Sequence, residues 1–213
     1  MNFNQGTIAI VVSASLLVMA GCADQNNNAE LPQRDLSASL AQAPERNNMA
    51  MMQSMNSMKK NMNGITMTGD YDYDFANMMI EHHKGAIDMS AVELKYGNDP
   101  KMERVADGIV TVQKDEITVM DTFLKKHTIV KSDQTLGTQD AIDEKMNEMS
   151  MSGNTDQDFA SMMTIHHQIA VVMAEGEMFH GQSTVLKEMA RQIIADQLRE
   201  IAVLRKWSDN NKY

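Results

Sequence analysis

The stretch DFASMMTIHHQIAVVMAE, residues 158–175, decides how the chain is read. Its apolar residues recur at helical spacing, yet a histidine pair interrupts them with a methionine pair one turn earlier. The same words occur as DFANMMIEHHKGAIDMS at residues 74–90. At a constant offset of 84, without gaps, Asp74 falls on Asp158, Phe75 on Phe159, Met78 and Met79 on Met162 and Met163, and His82 and His83 on His166 and His167. The register continues through Ala86/Ala170, Met89/Met173, Glu93/Glu177, Gly97/Gly181, Gln113/Gln197, Glu116/Glu200 and Phe123/Trp207. A register kept this long is a duplication.

Each unit reads as two helices. The first spans about Asp72 to Tyr96 and Asp156 to His180, closed by Gly97 and Gly181 at the C-cap. The second starts at Asp99-Pro100 and at Ser183-Thr184, a capping residue before the first helical position, and ends near Lys126 and Ser208. No segment alternates as a strand does. The fold expected is all-α: an antiparallel four-helix bundle of two repeated hairpins, residues 68–127 and 156–209, joined by a polar connection at residues 128–155.

Residues 1–21 carry no charged side chain, and IAIVVSASLLVMA at residues 8–20 is apolar but short for a membrane span. It reads as an export signal. It runs into LVMAGC, which resembles the bacterial lipobox, with Cys22, the only cysteine of the chain, as the residue to be lipidated. The expected product is an exported lipoprotein, anchored to a membrane by lipid alone and facing the periplasm or the cell exterior. Residues 22–48 read as a flexible polar tether. In the methionine-rich residues 49–67, Met51, Met55, Met58 and Met62 share one helical stripe, which suits a docked helix and a mobile segment equally. With 29 acidic against 19 basic side chains and a net charge of −10, no basic surface invites nucleic acid.

On the first helix of each unit, Phe75, Met78, His82, Ala86, Met89, Glu93 and Tyr96 share a face, as do Phe159, Met162, His166, Ala170, Met173, Glu177 and His180. Met79 with His83, and Met163 with His167, form the neighbouring stripe. Methionine at such spacing is usually core filler, and a buried histidine is usually a hydrogen-bonded core residue. A histidine pair doubled among 22 methionines points instead to a metal. Thioether and imidazole donors together suit copper, Cu(I) above Cu(II), with Ag(I) as a surrogate. The ligand candidates are therefore Met78, Met79, His82, His83, Met89, Met162, Met163, His166, His167, Met173 and His180. On the second helices Gln113, Glu116, Gln197 and Glu200 are placed to orient the histidines by hydrogen bonds. His127 reads as a surface or cap residue.

The pattern D-F-x-x-M-M-x-x-H-H-x-x-A-x-x-M, followed by Q-x-x-E-I, resembles the bacterial family DUF305, domain of unknown function 305, over roughly residues 60–209. The resemblance implies a ferritin-like four-helix bundle, and for some members an exported copper-binding protein. It implies sequestration or delivery of copper in homeostasis or resistance, with copper donor or acceptor proteins as partners. Two other readings stand beside it. A ferritin-like di-iron enzyme needs paired Glu-x-x-His motifs, and Glu177-x-x-His180 has only Glu93-x-x-Tyr96 as its partner. A lipid-tethered scaffold would use the methionines as an adaptable surface. No nucleophile with a matching base can be assembled, so no catalytic residue is assigned and the chain is not expected to be an enzyme.

Overall fold

The backbone at the start of each repeat is set by one aspartate that gathers the preceding turn. Asp74 accepts from Thr68 N and Oγ1, both at 2.8 Å, and from Gly69 N at 3.0 Å; Asp158 accepts from Ser152 N at 2.6 Å, Ser152 Oγ at 2.7 Å and Gly153 N at 3.3 Å. The turn needs a left-handed residue, and Gly69 (φ 83°) and Gly153 (φ 91°) supply it. Asp70 and Asn154 then cap the helices by accepting from Tyr73 N and Gln157 N.

The computed structural model describes residues 43–131 and 151–211. The helices are α1 (Ala43–Asn63), α2 (Tyr71–Tyr96), α3 (Pro100–Lys126), α4 (Thr155–His180) and α5 (Thr184–Asn210). Each repeat is a hairpin, α2 with α3 and α4 with α5, and the hairpins meet through α2 and α4. The central pair is buried on nearly every side, which is why its sequence shows little amphipathicity. By contrast α3 and α5 bury single stripes, Met102, Ala106, Ile109, Gln113 and Met120 on one, and Leu186, Ala190, Ile193, Gln197, Ile201, Leu204 and Trp207 on the other.

The methionine-rich stretch is helical and docked as far as Asn63. α1 packs along α2 and reaches α4, burying Met51, Met55, Met58 and Met62. It begins at Ala43, inside the stretch read as tether. The proposed signal and Cys22, and residues 132–150 of the connection, lie outside the described residues. Among the described residues no helix is long and apolar enough to cross a membrane.

The hairpins also clamp each other. Asp156, at the start of repeat 2, accepts from Asn98 N at 2.9 Å and Asp99 N at 2.8 Å in the α2–α3 turn. Asp72 does the same for Gln182 N and Ser183 N, both at 2.9 Å, in the α4–α5 turn. Hydrogen bonds to a carboxylate contribute about 1.5–3 kcal/mol each, so these four fix the relative register of the repeats. Gly97 and Gly181 occupy the C-caps but with ordinary φ of −64° and −61°. Their reason is space: a Cβ at either would collide with the carboxyl of Glu93 or Glu177 one turn back.

Candidate metal centre

The antiparallel meeting of α2 and α4 places the four paired histidines in a row across the bundle. Ring centroids are 6.3 Å apart from His83 to His82, 3.6 Å from His82 to His166, and 6.0 Å from His166 to His167. All four side chains are fully buried. The two histidine stripes therefore face different ways: His82 and His166 meet at the α2–α4 interface, while His83 and His167 turn to α3 and α5.

The outer pair has carboxylate neighbours. His83 Nε2 lies 2.8 Å from Glu116 Oε2, and His167 Nε2 2.7 Å from Glu200 Oε2, ion-pair distances that miss hydrogen-bond geometry. At the centre, His166 donates Nε2–H to the His82 carbonyl at 2.9 Å. That bond fixes its tautomer and leaves Nδ1 carrying the lone pair. Both nitrogens of His82, and Nδ1 of His83, His166 and His167, are buried without a hydrogen-bond partner. An unpartnered buried polar atom is costly, so a constellation of five such nitrogens calls for an occupant.

Electrostatics keep the central pair in the ligating form. Burial, reinforced by the neighbouring imidazoles, holds His82 and His166 well below the ordinary histidine pKa. The neutral ring is the one that binds metal. Met78, Met79, Met162 and Met163 stand one turn before the histidines, Met89 and Met173 two turns after His82 and His166, and all six are buried.

Not every expected residue joins the row. His180 ends α4, its ring 5.1 Å from Tyr71, and 14 residues from His166 along a helix amount to about 21 Å. It is not brought to the cluster. Of the residues expected to orient histidines, Glu116 and Glu200 reach them; both amide atoms of Gln113 and Oε1 of Gln197 are buried with no partner. His127 caps α3 and holds Asp70 at 2.7 Å, tying the end of one helix to the start of another. Among the described residues no three His, Cys, Asp or Glu side chains converge to hold a metal.

Glu93 and Glu177 were legible only as members of a stripe. Burial, together with the hydrogen bond and charge of Asp156 or Asp72, pushes each up to about 9. Each is thus a neutral acid able to donate to the aspartate that reaches across from the opposite repeat. Tyr71, pushed up to about 12 by burial and by Glu177, reaches over Gly176, where a Cβ would strike its hydroxyl.

A family model described as Domain of unknown function (DUF305) matches residues 16–124 and again residues 125–208. The chain belongs to that family. Two DUF305 copies in tandem agree with the internal repeat. Among solved structures it is similar to CopM in the Ag-bound form, at 27% identity and TM-score 0.53 over 67% of this chain and 98% of that one. It is similar to CopM in the Cu(I)-bound form at 27% identity and TM-score 0.52, over 65% and 96%. A DUF305 fragment from Deinococcus radiodurans, 19% identical with TM-score 0.53 over 66% and 96%, shares the fold. A comparison with curated protein sequences finds no significant match.

Proposed function

We propose that this DUF305 protein is an exported copper-binding protein that sequesters or delivers Cu(I), and that it is not an enzyme. Copper is its cargo, held in the bundle core. The observation that carries the reading is the row of buried imidazoles at His83, His82, His166 and His167, each with an unpartnered Nδ1. Their chemistry fits the ion: neutral imidazole and thioether donors favour soft or borderline cations, and copper above the hard divalent ions. CopM, similar over two thirds of this chain, is known in Ag-, Cu(I)- and Cu(II)-bound forms. The apolar residues 8–20 and Cys22 support export and a lipid anchor.

Competition with a colorimetric Cu(I) chelator tests it. The purified protein should withdraw Cu(I) from the chelator, and His82→Ala with His166→Ala should lose most of that capacity while keeping helical circular dichroism. A wild-type protein that leaves the chelator fully loaded sinks the reading.

A further inference from the structure

α1 carries more sulfur than packing requires. Among its described side chains the buried ones are Met51, Met55, Met58 and Met62, each 2% exposed or less, and no leucine, isoleucine, valine or aromatic residue occurs between Ala43 and Asn63. Leucine is at least as good a helix former, loses less side-chain entropy and fills a core with better-defined rotamers. A helix that needed only an apolar stripe would gain nothing from four thioethers.

The surface under α1 differs between the repeats. Met58 lies over Gly85, where a Cβ would meet Met58 Cβ at 2.8 Å and Sδ at 2.9 Å. The repeat equivalent of Gly85 is Ile169, itself buried, so repeat 2 fills that space with its own side chain. Gly85 follows His82 by one turn of α2. Asn61 Nδ2 donates to Glu81 Oε2 at 3.0 Å, which together with Met58 over Gly85 sets an antiparallel register. That register carries Met62 opposite Ile80 and Glu81, within a turn of His82, and Met55 opposite Ile87 and Asp88, next to Met89. On α2, one turn before Gly85, both ring nitrogens of His82 are buried and unpartnered.

We propose that α1 gives repeat 1 a soft-cation site that repeat 2 lacks, with Met55, Met58 and Met62 as thioether donors facing α2 beside His82. The proposal rests on reading the core as a soft-metal centre, and it makes the two halves unequal in loading. Three thioethers select monovalent soft cations, Cu(I) and its redox-inert analogue Ag(I).

The test uses the exported chain and Ag(I) as probe, with bound equivalents read by equilibrium dialysis and the sulfur-to-nitrogen donor ratio by X-ray absorption. Leucine replaces methionine at nearly constant volume, so Met55→Leu, Met58→Leu and Met62→Leu together should retain helicity. That triple variant is expected to lose one Ag(I) equivalent, with fewer sulfur donors, while the equivalents that depend on His82 and His166 persist. Gly85→Ala, which displaces α1 with every sulfur present, should lose the same equivalent. A triple variant that matches wild type in both stoichiometry and sulfur count overturns the α1 site and leaves the core reading standing. A full complement in Gly85→Ala refutes the placement over Gly85. A wild-type protein that binds no Ag(I) overturns both.

Discussion

Raising the pH from about 7 to about 9 should destabilise the protein through its two buried carboxyl pairs. Glu93 faces Asp156, Glu103 and Asp99, and Glu177 faces Asp72, Asp70, Lys187 and Tyr71; burial and the adjoining aspartate push each glutamate from 4.5 up to about 9. Each is protonated in the fold and ionised in the unfolded chain at neutral pH, so folding takes up a proton. Stability therefore falls as pH rises from the unfolded value towards the folded one, and levels off above it. Linkage limits the slope to about 1.4 kcal/mol per pH unit for each proton taken up. His82 and His166 act in the opposite sense: their folded pKa lies below 6.5, so the stability they contribute is lost as pH falls through 6.5. Below 6.5 the two effects therefore act against each other. From about 7 to about 9 only the glutamates remain, and two protons over two pH units amount to at most about 5 kcal/mol, comparable with the entire stability of many domains. Tyr71, held up near 12, does not titrate in this window. Urea midpoints followed by circular dichroism at constant ionic strength should fall steadily over this range. Glu93→Gln with Glu177→Gln, which keeps a neutral donor to each aspartate, should flatten the profile. A wild-type profile already flat between these pH values, or a double variant with the wild-type slope, refutes the argument.

The space reserved for those carboxyls predicts that Gly97→Ala or Gly181→Ala costs about 1–3 kcal/mol by overpacking, read as a lowered thermal midpoint. Asp72→Ala and Asp156→Ala each strand a pair of turn amides and should cost about 2–5 kcal/mol by urea titration, with similar values because the sites are repeat equivalents. If Glu116 orients His83 for a bound ion, Glu116→Ala should weaken Cu(I) binding by roughly 10–100-fold in chelator competition, without loss of helicity.

The duplication made most of the fold legible, because each helix could be read twice. Asp99-Pro100 and Ser183-Thr184 marked the same boundary by different chemistry, and the helices begin there. What pattern could not supply was the depth of each stripe. His82 and His83 are consecutive in sequence, and only the burial of α2 on almost every side lets one meet His166 while the other meets Glu116. His180 shares a helical face with His166, but a shared face says nothing about the distance along it. The docking of α1 was undecidable because methionine alone carries its apolar face, and the deciding residue, Gly85, lies on another helix. The role of Gly97 and Gly181 was misleading in the same way: a glycine after a helix suggests a left-handed cap, whereas these two make room for an acid one turn back on their own helix. Asp72 and Asp156 looked like ordinary first-turn acids, and the partners they hold are 110 and 58 residues away.

The reciprocal turn clamps make the two hairpins interdependent. Asp72 serves the turn of repeat 2 exactly as Asp156 serves that of repeat 1, so neither hairpin contains the carboxylate its own turn needs. A lone hairpin would leave two backbone amides and an apolar α2 face without partners, and a second copy related by a two-fold axis would supply both. Each hairpin thus depends on the other for the closure of its own turn, while Gly85 in one and Ile169 in the other leave the two halves free to differ at the surface that α1 covers.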